Sequence, residues 1–117
     1  MTLANYMRVT LVGVGLASIP VFSFAQTERG TDLLPRLDAL AAQNGGFDAG
    51  AGIGYVRGVA DTLRVSGALC TPERVSVGQL GMVVQKFLRD NPAQLHRDAA
   101  ALTIKALMDN FPCKSKP

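Results

Sequence analysis

The chain has no tryptophan, one histidine and two cysteines in 117 residues, and aromatic side chains make up only 6% of it. With so few rings, a core has to be built from Leu, Val, Ile and Ala, with Phe87 and Phe111 as its large pieces. The lone His96 has no Ser-His-Asp or Cys-His arrangement around it, and a general base needs a positioned partner beside a substrate pocket. Cys70, Cys113 and His96 lack the local ligand spacing of a zinc site, such as C-x-x-C. The glycine-rich stretch Gly45–Gly58 lacks the preceding strand and the Gly-Lys-Ser/Thr ending of a phosphate loop. Charged residues are only 18% of the chain and nearly balanced, at a net +3. They form no basic stripe interleaved with aromatics, which argues against nucleic-acid binding. These absences point away from an enzyme and away from any bound metal or cofactor.

A long apolar run is present only at the start. Met1–Arg8 is polar and carries one charge, Val9–Ile19 is apolar, Pro20 breaks the run, and Ser23-Phe24-Ala25 precedes Gln26. That order is the n-region, h-region and small-residue cleavage site of a secretory signal peptide. The competing reading is a membrane anchor, but Val9–Ala25 is short for a span and is interrupted by Pro20 and Ser23. Residues 1–25 are therefore expected to be removed, leaving a mature chain of residues 26–117 with no membrane segment.

Export places Cys70 and Cys113 where disulfides persist. A bond between them would close about 44 residues and stabilise the fold by roughly 3–4 kcal/mol in the chain-entropy model. In a domain this small such a contribution matters. Two free thiols or an intermolecular bond are the alternatives.

Hydrophobic spacing predicts four helices and no useful strand alternation. Thr31–Asn44 carries Leu33, Leu34, Leu37, Leu40 and Ala41, with Thr31 or Leu34 as cap and Pro35 in or near the first turn, where it costs least. Asp48–Ser66 has Asp48 as its candidate cap, and Gly67 ends it. Its Gly50, Gly52, Gly54 and Gly58 each weaken the helix by about 1 kcal/mol relative to Ala. Gly54 and Gly58, four apart, are expected to leave a groove for another helix. On the same segment Asp61 can pair with Arg57 and Arg64, or turn inward toward a loop or His96. Val77–Asp90 fits the amphipathic template in full through Leu80, Val83, Val84, Phe87 and Leu88. Ser76 with Gln79 reads as its capping box, and Val75 with Leu80 as its staple. Pro92–Asn110 is expected to start with Asn91 as cap and Pro92 in the first helical position, with His96 in its early turns. The fold class is an all-α domain of four to five helices with one disulfide.

Four ordered segments resemble the Rap/Tai family of immunity proteins. They are Gly54-Tyr55-Val56-Arg57-Gly58-Val59-Ala60-Asp61, then Cys70-Thr71-Pro72 through Ser76-Val77-Gly78-Gln79-Leu80. Asn91-Pro92-Ala93-Gln94-Leu95-His96 and Ala106-Leu107 through Phe111-Pro112-Cys113 follow. The family usually has two further cysteines, at places that read about Leu37 and Gly52 here, as if one whole disulfide had been lost. The resemblance implies a periplasmic helical protein that neutralises a cell-wall amidase toxin of a type VI secretion system by covering its cleft, often as a homodimer. It assigns Gly54, Tyr55, Gly58, Asp61, Pro72, Gln79, Pro92 and His96 to the fold. The contacts to the toxin vary with the toxin. The expected contact residues are Arg64, Arg74, Arg89 and Asp90, around the ends of the second and third helices, since Arg is a favoured interface anchor. A second reading is an exported envelope accessory or chaperone-like module with no toxin partner.

Overall fold

A computed structural model describes residues 27–114, and the leader expected over residues 1–25 lies outside them. The described chain is all-helical: α1 (Gly30–Ala41), α2 (Phe47–Val65), α3 (Val77–Asp90) and α4 (Ala99–Asn110), with a 3-10 turn at Pro92–Gln94. The helices surround one aliphatic core. It is formed by Leu33 and Leu37 of α1, Val56 and Ala60 of α2, Leu80, Val84 and Leu88 of α3, and Ala99, Leu102, Ala106 and Leu107 of α4. Each fully buried Leu or Val contributes about 1.5–3 kcal/mol relative to exposure. Phe87 and Phe111 are only partly buried and pack against this core from outside, so the large pieces of the centre are leucines.

The start of α3 is built as its spacing predicts. The Ser76 hydroxyl accepts from the Gln79 N–H at 3.1 Å, and the Gln79 side-chain oxygen accepts from the Ser76 N–H at 2.8 Å. Val75 packs onto the core just before that cap. Helix α2 ends in a Schellman motif: Gly67 N–H donates to Arg64 O and Ala68 N–H to Leu63 O. The motif needs a left-handed residue, and Gly67 has φ of 77°.

Helix α1 starts one residue earlier than its spacing suggests, at Gly30, with Arg29 in the cap position in place of Thr31 or Leu34. The Asp32 carboxylate accepts from the Arg29 N–H at 3.0 Å. Pro35 thus falls in the second turn, where the carbonyl of Thr31 loses its i+4 donor; both residues are exposed, so water can serve it. Helix α2 starts at Phe47 after Gly46, whose φ of 115° no ordinary residue adopts, and Asp48 lies inside the first turn instead of capping it.

The segment expected to be one helix from Pro92 to Asn110 is broken. A 3-10 turn is followed by an extended Asp98, and α4 begins at Ala99. The cause is a tertiary exchange of caps. Gly30 N–H donates to Arg97 O at 3.0 Å and Thr31 N–H to Leu95 O at 2.9 Å, so this loop satisfies the first donors of α1. In return Ala99 N–H, the first donor of α4, is satisfied by Glu28 O at 2.8 Å. Helix ends leave such groups unpaired, and a continuous fourth helix would have kept the Leu95 and Arg97 carbonyls for itself. Gly30 is required there: a Cβ on it would stand 2.7 Å from Leu102 Cδ1 and 2.9 Å from the Leu95 carbonyl oxygen.

Cys70 and Cys113 form an intramolecular disulfide, with their Cα atoms 4.8 Å apart. It ties the tail after α4 to the loop before α3, beside a hydrogen bond from Cys70 N–H to Phe111 O at 3.2 Å. Among the described residues no helix is long and apolar enough to cross a membrane.

Candidate protein-binding surface

The residues that could carry chemistry are dispersed. His96 is exposed on the loop between the 3-10 turn and α4, outside any helix. Both cysteines are bonded, and no group of three or more His, Cys, Asp or Glu among the described residues could hold a metal. Asp61 faces solvent and pairs with Arg57 at 3.6 Å and Arg64 at 3.7 Å, which decides against an inward role. Thr103 is the one buried polar side chain of the core, and its hydroxyl has no partner among the described residues.

The family-type positions serve the packing in different degrees. Tyr55 is half-buried, and burial, reinforced by the carboxylates of Glu28 and Asp98, pushes its phenol above the ordinary value of 10.0. Glu28 also holds Arg36 in an ion pair at 2.5 Å. Pro72 and Pro92 are exposed turn residues. The groove expected at Gly54 and Gly58 receives no helix: both are exposed, and a Cβ on either would meet nothing within 4 Å. Gly58 only borders a shallow depression of about 220 Å³ with Val59, Thr62, Leu63 and Ile104. The close approach belongs to Gly52, where a Cβ would lie 3.0 Å from Arg36 Cβ and 3.1 Å from its carbonyl carbon. Leu37, next along α1, is fully buried, so packing of α1 on α2 occupies both of these positions.

The four expected contact residues lie on three different segments of the chain. Arg64 lies at the end of α2 and is engaged by Asp61; Arg74 lies in the loop before α3 and makes no ion pair among the described residues. Arg89 and Asp90 belong to the outward stripe of α3. With Met82, Gln85 and Lys86 they recur at i, i+3, i+4, i+7 and i+8, opposite the helix's core stripe. Along this stripe the charges are already paired within the chain. Arg89 and Gln85 both donate to Asp38 of α1, at 2.6 Å and 2.7 Å, and Lys86 donates to Asp90 at 2.6 Å. Partial burial pushes the Asp38 carboxyl up, but the hydrogen bonds from Gln85 and Arg89 and the Arg89 charge outweigh it and hold the group below 3.8.

Beside the stripe, α1, α2 and the start of α3 enclose an open groove of about 530 Å³. Its apolar walls are Leu37, Leu40, Ala41, Ile53 and Met82, and Gly78 and Gly81 admit it close to the backbone of α3. Gly81 is where α3 meets its neighbours: a Cβ there would be 3.2 Å from Ile53 Cδ1 and 3.5 Å from Leu40 Cδ2. Met82 is 65% exposed, and Phe47, the first residue of α2, is 83% exposed. Sequence reasoning about contacts passed over both. Their signals were present: Met82 falls off the apolar stripe of α3, and Phe47 directly follows a Gly-Gly turn.

No curated protein matches the chain, and no solved structure does. Residues 29–113 match the family model of the Rap1a immunity proteins, from the cap of α1 to the second half of the disulfide. With all four helices and both cysteines inside that match, the chain belongs to the Rap1a immunity protein family.

Proposed function

We propose that the protein is a periplasmic immunity protein that binds a peptidoglycan amidase delivered by a type VI secretion system and covers its active-site cleft. The match of residues 29–113 to the Rap1a immunity proteins carries this reading. Two further observations support it. The described domain is small, cross-linked and built round one aliphatic core, which suits a rigid blocking surface. Its large exposed apolar side chains, Phe47, Val65 and Met82, offer surface for contact with another protein. Inhibition is steric: the bound protein excludes substrate from the cleft, and no bond is made or broken. An interface of standard size, about 1,600 Å² in total, would be enough. The leader is removed after Ala25 during export, and the mature protein acts in the periplasm, as a homodimer or as a monomer.

The test is inhibition by the mature protein of any peptidoglycan amidase encoded near its gene, followed by release of soluble muropeptides from purified sacculi. Stoichiometric loss of hydrolysis is expected. Full hydrolysis in the presence of excess protein, with no complex on gel filtration, would return the protein to the class of envelope accessory modules. N-terminal sequencing of periplasmic material should begin at Gln26.

A further inference from the structure

We propose that Asn44 is a site of covalent self-modification. The Gly45 backbone nitrogen attacks the Asn44 side-chain amide, ammonia leaves, and water opens the resulting succinimide to aspartate and isoaspartate at position 44. The inference is independent of what the protein binds. An intramolecular attack of this kind needs a nitrogen free to react and a side chain free to turn onto it. It also needs a following residue without a Cβ to obstruct the approach.

The three asparagines among the described residues differ on each count. Asn91 precedes Pro92, which has no N–H to lose, and its side chain donates to Phe87 O at 2.8 Å. Asn110, at the end of α4, donates from its side chain to Ala106 O at 2.7 Å, and the Phe111 N–H is held by Leu107 O at 2.8 Å. Asn44 is exposed, on the turn that joins α1 to α2. Unlike the other two, its side-chain amide has no hydrogen-bond partner among the described residues. Neither has the Gly45 N–H. A Cβ at Gly45 would meet nothing within 4 Å, so the space around the reacting atoms is open. The chain is anchored only on the near side. Asn44 N–H donates to Ala39 O at 3.1 Å and Gln43 N–H to Leu40 O at 3.0 Å, with Gln43 left-handed at φ of 56°, which closes α1 in a Schellman motif.

The reaction balances without an oxidant or reductant. The bond from Gly45 N to Asn44 Cγ forms, the Cγ–Nδ2 bond breaks, and the Gly45 amide proton departs with that nitrogen as ammonia. Water then cleaves one of the two ring bonds to the Gly45 nitrogen. Cleavage at Cγ gives aspartate. Cleavage at the backbone carbonyl carbon gives isoaspartate, whose main chain runs through Cβ and Cγ. Either product places a negative charge just before Gly46, the N-cap of α2, where the helix dipole favours it. Isoaspartate also lengthens the α1–α2 turn by one main-chain carbon.

The experiment holds the mature, oxidised protein in mildly alkaline buffer below its melting temperature. Released ammonia is assayed, and peptide mapping by mass spectrometry locates the mass gain, with isoaspartate told from aspartate by electron-transfer fragmentation. Conversion is expected at Asn44, with both products present, while Asn91 and Asn110 stay intact. Gly45→Ala fits the open space, so it should melt with the parent and slow the conversion several-fold. Asn44→Gln, whose longer side chain closes the ring poorly, should abolish the mass gain in that peptide, and it carries the test if Gly45→Ala melts lower. Conversion at Asn44 no faster than at Asn110 would overturn the proposal. So would aspartate without isoaspartate, the mark of direct hydrolysis, or conversion seen only in denaturant, which would mean that the folded turn protects the site.

Discussion

Two glycines on α2 should respond with opposite sign to the same substitution. Gly58 and Gly52 both lie inside this 19-residue helix, so Ala at either gains the same helix propensity, about 1 kcal/mol. At Gly58 the new methyl meets nothing within 4 Å. Gly58→Ala should therefore stabilise the domain by about 1 kcal/mol, roughly 4–8 °C in Tm for a domain of this size. At Gly52 the methyl would lie 3.0 Å from Arg36 Cβ, 3.1 Å from its carbonyl carbon and 3.2 Å from its carbonyl oxygen. Two of those atoms are backbone of α1, so relief requires the helices to separate. Overpacking of this kind costs about 1–3 kcal/mol, which cancels or exceeds the propensity gain. Gly52→Ala should thus be neutral to about 2 kcal/mol less stable, leaving the two variants about 1–3 kcal/mol apart. Guanidinium unfolding of the mature, oxidised protein, followed by circular dichroism, measures both, and an unchanged m-value shows that midpoints report stability. Equal stabilisation by the two substitutions would refute the assignment of the close α1–α2 contact to Gly52.

Thr103→Val removes a buried hydroxyl that has no partner among the described residues, and should raise stability by about 1 kcal/mol in thermal melts; a loss would mean that the hydroxyl is bonded in solution. Removing the disulfide by Cys70→Ala with Cys113→Ala should lower stability by about 3–4 kcal/mol, since it opens a loop of sequence separation 43; a change below about 1 kcal/mol would show that the tail is held by packing alone. Because the Asp38 carboxyl is held below 3.8 in the folded chain, its contribution is complete above that value and is lost as pH falls through the lower, folded-state value. Acid unfolding of Asp38→Asn should accordingly show a shallower decline below about pH 4 than the parent. Conversely, the raised Tyr55 value favours the neutral phenol in the fold. Stability should be full below pH 10.0 and decline as pH rises above it, and Tyr55→Phe should blunt that decline in alkaline melts.

Helix α3 was legible to the residue because every signal that defines it is local. Its apolar stripe, the Ser76–Gln79 box and Val75 lie within one short window, and Gly67 likewise marks the end of α2 through its own backbone freedom. Helix α4 was misjudged because its start is decided by Glu28 and by the donors of Gly30 and Thr31, far away in sequence. Gly54 and Gly58 drew attention through their spacing, whereas Gly52, in the same run, makes the contact. Spacing along one helix cannot say which face a second helix will cover. The surface was the least legible part. Arg64, Arg74, Arg89 and Asp90 are ordinary exposed charges until their partners are known, and Met82 becomes informative only when the groove it lines exists.

What the sequence determined alone was a helical class with an aliphatic interior, three well-placed helix boundaries and the pair of cysteines that the fold joins. Periodicity, capping and composition are local, and they act before any two helices meet. Only the folded arrangement decided which glycine lies against a neighbour, where α4 begins, and which apolar side chains stay in water. Those outcomes depend on atoms brought together from distant parts of the chain, and no window along it contains them.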